Sequence, residues 1–167
     1  MTDIALRWSA EHFAADLALS SGQLVLDEGL RTAILLSLFS DARAPVGAEL
    51  PEPGDDRRGW WGDAFAAEEV RSEADALGST LWLLGRAKAL PQVAERARRA
   101  AEDALGWLIR DGVAAAVRVE AAVLNPGTPA AALALGIELE RPQGPGRQRF
   151  DFVWDASSGQ ISTGMIS

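Results

Sequence analysis

Glu11, Asp27, Glu28, Asp55, Asp56 and Asp63 are the carboxylates whose types and spacing invite acid–base chemistry. Two of them facing across a glycosidic bond, one protonated and one ionised, would hydrolyse it. The chain holds 24 acidic residues, so candidates of this kind arise without selection for catalysis, and solvated carboxylates are the usual case. Asp27 is better explained as the cap of a following helix. The single histidine, His12, would be the general base. It sits between Glu11 and Phe13 with no serine or cysteine motif to serve, and reads as a surface or hairpin-packing residue. Asp55, Asp56 and Asp63 could approach a hard cation. Arg57 and Arg58 stand between them and compete for the same carboxylates, and the spacing is not that of an EF-hand. PQGPGRQR (142–149) is a hairpin turn, and no GKS or GKT marks a phosphate loop. With no cysteine in the chain, disulfides, thiolate nucleophiles and cysteine zinc sites are excluded. We therefore expect no catalytic, metal or cofactor residues.

What remains is DDRRGWWGDAF (55–65). Arg57, Arg58, Trp60, Trp61 and Asp63 form the candidate site, as a protein-interaction surface. Gly59 and Gly62 open backbone angles that other residues avoid. In an extended segment the two indoles would point opposite ways, one into the domain and one elsewhere. Arg57 or Arg58 could stack on an indole, and Asp63 could fix the turn. Two readings stay open. Both rings pin the loop to the domain's own core, or at least one anchors a partner subunit, since Trp and Arg dominate interface hot spots.

The elements that must position this loop follow from periodicity. DIALRW (3–8) reads as a short strand or arm, and FAADLALSSGQLVLDEG as a hairpin turning at Ser20-Ser21-Gly22. A helix apolar on nearly every side follows, with Leu30, Ala33, Ile34, Leu35, Leu36, Leu38 and Phe39; such a helix is buried centrally or covered by other chains. Residues 41–63, rich in proline and glycine, form a long loop of the kind that is usually functional or disordered. A second helix is predicted from about Ser72 to Leu90. A third follows Pro91 with Val93, Ala97, Ala100, Ala104 and Leu108 on its small face. The period then falls to two. Val113–Ala121, Leu133–Leu139 and Phe150–Trp154 alternate, with turns at Asn125-Pro126-Gly127 and 142–146, which predicts a three-stranded antiparallel meander. Residues 156–167 form a tail or an added edge strand. The expected fold class is α+β, a single domain over 1–167 with helices on one face of the sheet.

Composition narrows the partners. A formal net charge of -8 and a pI near 4.7 argue against nucleic acid and anionic lipid. They suit a basic protein partner. The opening MTDIALRWSAEHF lacks the basic and apolar regions of a signal peptide, and no apolar run reaches ~18 residues, so no membrane span is expected.

GWWGD (59–63), followed by GSTLWLLGRAK (78–88) and preceded by DLAL…GQLVLDEGLRTAILLSLFSDARA, resembles the Mu-like prophage gene-46 protein family over about residues 1–155. The resemblance implies a phage baseplate component similar to the small, lysozyme-like wedge protein of contractile tails. It implies a non-enzymatic structural role in several copies around a sixfold assembly. The implied partners are the large baseplate wedge protein, the tail sheath and the hub/spike proteins. The implied location is the virion tail baseplate, assembled in the host cytoplasm. Small wedge proteins carry a G-E-R motif in the loop after the first helix; here that loop reads DDRRGWWGD, with Arg57 or Arg58 and no preceding glutamate. The rival readings are a cell-wall glycosidase using Glu11 or Glu28 with a nearby aspartate, and a stand-alone ligand-binding module built on the tryptophan loop.

Overall fold

The computed structural model describes residues 3–9, 14–27, 30–61, 63, 77–85, 87, 90–128, 131–142, 146–155 and 160–163. The architecture is α+β, with helices against one face of an antiparallel sheet.

That sheet is built from β7 (Ala116–Leu124), β8 (Ala132–Glu140), β9 (Arg147–Asp155) and β10 (Gln160–Thr163), in the order β10-β9-β8-β7. The predicted meander is present, and part of the C-terminal segment adds the fourth, edge strand. Register follows the alternation of apolar side chains. Val119 faces Ile137, and Ile137 faces Phe150. Leu135 faces Phe152, and Trp154 faces Leu133 on one side and Ile161 on the other. Leu133, Leu135, Ile137, Leu139 and Phe152 are fully buried. A one-residue slip would turn this whole set to water, so the register is fixed by burial.

The opposite face is polar. Glu138 lies between Arg118 and Arg147, and Arg149 joins Glu120 to Asp151. Gly136 leaves room for Arg149, whose guanidinium would have to shift if a Cβ stood there, 2.6 Å from its Nη2.

α2 (Pro91–Leu105) covers the apolar face against β7. Proline at its first position loses no intrahelical bond and presets φ. Val93, Ala94, Ala97, Ala100, Ala101 and Leu105 are buried at helical spacing, and their small size lets the helix lie close to the large side chains of the sheet. Glu95, Arg98, Arg99 and Glu102 lie on the other face and pair with one another. The predicted third helix breaks at Gly106, and a short α3 (Trp107–Arg110) follows. Leu108 completes the buried stripe.

α1 (Arg31–Phe39) inserts Ile34 and Leu38 into the core, and Phe39 meets Phe152 edge to face at 5.7 Å. Leu36 is 42% exposed, so the helix is buried on one side rather than all round. Asp27 does not cap it. Asp27 is held in extended pairing opposite Asp3, and the helix starts after Leu30, whose φ of 67° turns the chain.

The expected second helix, 72–90, is corrected over its described part; residues 72–76 lie outside the described residues. Gly78 has φ 101°, Ser79 bridges Asp41, and only Leu81–Leu84 winds, as a 3-10 turn. A Cβ at Gly78 would collide with the Ser40 carbonyl. The backbone there is pressed against the end of α1, and a helix has no room.

The N-terminal segment is three ribbons rather than one hairpin. β1 (Asp3–Ile4) pairs with β6 (Leu26–Asp27), β2 (Leu6–Ser9) with β3 (Ala14–Leu17), and β4 (Leu19–Ser20) with β5 (Gln23–Leu24). They meet at Ala5, Ala18 and Val25, whose amides close a cycle. Ala5 N donates to Val25 O (2.8 Å), Val25 N to Ala18 O (2.9 Å) and Ala18 N to Ala5 O (2.8 Å). Positive φ at Ser21 and Gly22 gives the tight turn of the β4–β5 ribbon. Thr32 of α1 ties the junction to the body. Its hydroxyl donates to Ile4 O (3.0 Å) and accepts from Leu6 N (3.3 Å).

Candidate functional site

The long loop is ordered from Asp41 to Trp61 because its base is stitched on both sides. On one side Ser79, buried, binds the end of α1. Its Oγ donates to Leu38 O, its amide donates to Ser40 O (2.9 Å), and its carbonyl accepts from Ala42 N (3.0 Å). On the other side Ala44 N donates to Arg57 O (2.9 Å), so the loop's outgoing and returning limbs pair. Gly59 allows this closeness: its φ is 107°, and a Cβ would sit 2.9 Å from the Arg43 Cβ.

Within that frame the candidate residues divide. Arg57 turns inward, and its guanidinium donates to the carbonyls of Ala44 and Pro45. Arg58 is held in the left-handed region, φ 49°, where the Asp56 carboxylate accepts its amide at 2.8 Å. Its guanidinium pairs with Asp41 at 2.8 Å and lies 4.5 Å over the ring of Trp82. Trp82 in turn donates from Nε1 to Ala42 O at 2.8 Å and is buried. The expected stacking of an arginine on an indole is therefore present, with Arg58 on Trp82.

Trp60 and Trp61 do not point opposite ways. The chain turns here, with Asp63 N donating to Trp60 O at 3.0 Å, and this brings the two rings to 5.5 Å with a 50° tilt. Trp60 is 37% and Trp61 73% exposed. The rings form one surface feature. A small groove in the same loop is lined by apolar Leu50, Pro51 and Trp82 together with charged Glu52, Asp56 and Arg58, and neither indole of the pair lines it.

Asp41, Ser79 and Trp82, outside the GWWGD stretch, hold the loop in shape. The Gly78-Ser79-Thr80 stretch directly before LWLL is the available signal. Trp82 is buried, and Trp107 is partly buried against the core, its Nε1 donating to Ser37 Oγ at 3.0 Å. Glu11, His12 and Glu28 lie outside the described residues. Asp55 and Asp56 are exposed on the loop. Among the described residues no three His, Asp or Glu side chains converge as a metal site would require, and no helix is long and apolar enough to cross a membrane.

The fold is thus an α+β layer pair, and its most distinctive surface is a braced loop carrying two adjoining indoles. The family model for phage protein GP46 matches residues 30–146, and the chain belongs to that family. The chain is 41% identical to the baseplate protein gp46 of Escherichia phage Mu over 144 residues, covering 86% of this chain and 90% of that protein. It is 38% identical over 149 residues to the Mu-like prophage FluMu protein gp46 of Haemophilus influenzae, covering 89% and 94% respectively. The resemblance carried by GWWGD and GSTLWLLGRAK is borne out.

Proposed function

We propose that the chain is a structural, non-enzymatic subunit of a contractile-tail baseplate, occupying the wedge position between the hub or large wedge protein and the sheath. The baseplate role is supported by the name of the Mu relative, which covers nearly the whole chain. The observation that carries the site is Trp61, 73% exposed on a loop braced from both sides. Holding a large apolar ring in water on a rigid mount has an energetic cost, and a partner that buries it recovers that cost at small loss of loop entropy. Trp60 and Trp61 are the anchors, Arg57 and Arg58 brace them, and Asp63 closes the turn. The long, regular outer strand β7 offers a backbone edge to a sheath strand. Several copies sit around the sixfold axis.

Co-expression with the large wedge protein of the same particle tests this reading. A complex formed by the wild type and lost by Trp60→Ala/Trp61→Ala, with cooperative thermal unfolding retained by the variant, is the expected result. A complex that survives the double substitution removes the anchor role, and no complex from soluble wild type removes the direct wedge contact.

A further inference from the structure

The three-ribbon junction carries an apolar ring that the tryptophan loop does not explain. Cross-strand partners share a face of a ribbon, as do residues two apart along a strand. Ile4 and Leu6 flank Ala5, Leu17 and Leu19 flank Ala18, and Leu24 and Leu26 flank Val25. The pairing Leu6–Leu17, Leu19–Leu24, Leu26–Ile4 closes these into one circuit of aliphatic side chains on a single face. Leu17, Leu19, Leu24 and Leu26 are 48%, 58%, 46% and 60% exposed, and none of the ring belongs to the hydrophobic core. Two-stranded ribbons are marginal in water by themselves, and burial of the body's core does not reach this face.

We propose that this aliphatic ring is a second docking surface, covered in the assembled particle by an uncharged, apolar segment of a different baseplate subunit. The size of the patch selects that occupant. Four half-exposed leucines make a patch on the order of 400 Å². Two copies face to face would bury about 800 Å² in all, the scale of lattice contacts, whereas stable pairs need ~1,200 Å² or more. The ring is too small to hold a second copy by itself. It suits a neighbour already fastened elsewhere. The ring members carry no charge, so the contact is made by apolar burial. The proposal rests on the chain being an assembly subunit but not on the role of Trp60 and Trp61.

The cysteine-free sequence allows a direct test. Leu19→Cys, Leu26→Cys and, as an exposed reference on α2, Asp103→Cys are made singly. Maleimide labelling of this chain is followed by mass spectrometry, in the free protein and in purified baseplates. Comparable labelling in the free protein, and at least tenfold slower labelling at 19 and 26 than at 103 in baseplates, is the expected result. Baseplates that contain the chain but leave 19 and 26 reactive overturn the proposal alone. Baseplates that exclude wild-type chain overturn it together with the assembly reading. Protection at 19 and 26 in the free protein that tracks a dimer in sedimentation overturns it in favour of a second copy. Retaining the protection in a Trp60→Ala/Trp61→Ala background separates this surface from the tryptophan loop.

Discussion

The guanidinium of Arg58 lies 4.5 Å over the indole of Trp82 while pairing with Asp41 at 2.8 Å. One side chain thus joins the return limb of the loop, its outgoing limb and the segment after it. Trp60 and Trp61 follow Arg58 within three residues along the chain.

Arg58→Ala removes both contacts. An exposed stack contributes about 0.5–1 kcal/mol, and a surface ion pair about 0–1 kcal/mol. The expected loss is about 1 kcal/mol in urea denaturation. Arg58→Lys keeps charge but not the planar stack, and is expected to recover less than half. An Arg58→Ala protein as stable as wild type would show that the Ser79 and Ala44–Arg57 contacts fix the loop without it.

Gly78→Ala places a side chain at φ 101° and against the Ser40 carbonyl. A strained backbone of this kind costs about 1–3 kcal/mol, and the collision adds to it. The loss should exceed that of Arg58→Ala, and the midpoint of thermal unfolding should fall accordingly. Equal midpoints for wild type and Gly78→Ala would mean that the approach of residue 78 to α1 is not maintained in solution.

Acid sensitivity is expected on the outer face of α2. Hydrogen bonds from Arg98 and then Arg99 lower the Glu95 carboxyl from 4.5 to about 2. A carboxyl depressed in the folded state stabilises above its unfolded pKa and loses that contribution as pH falls through the folded one. The advantage of wild type over Glu95→Gln should be constant from pH 7 to about 4.5, then shrink toward pH 2. Denaturant midpoints of both proteins across that range check the sign; an advantage that grows on acidification contradicts it.

The legible parts of the fold were those whose signal is local and long. α2 announces itself by Pro91 and by buried residues every third or fourth position. β7, β8 and β9 announce themselves by alternation over part of their length, through Val117–Ala121, Leu133–Leu139 and Phe150–Trp154. The helix expected from about Ser72 to Leu90 failed over its described part because Leu77, Leu81 and Leu84 have helical spacing but Gly78 is committed to a close approach with Ser40. Proximity to a distant segment has no signature in the local pattern. The three-ribbon junction was hidden for the same reason: its strands run two to four residues, and the pairing of Ile4 with Leu26 spans the whole unit. At the site, the residue types drew attention to Trp60 and Trp61, but which way the rings face depends on the turn that Asp63 closes. Opposed rings would follow only from an extended segment, and the backbone hydrogen bond from Asp63 N to Trp60 O turns the chain instead.

Two indoles whose centres lie 5.5 Å apart at a 50° tilt are also a coupled pair of chromophores. Their strong ultraviolet transitions mix and split, so wild type should show a bisignate circular dichroism couplet near the indole absorption maximum. Either Trp60→Phe or Trp61→Phe should abolish it, whereas Trp107→Phe should leave it. The protein thereby carries an intrinsic optical ruler for the geometry of its most exposed loop, readable without any label.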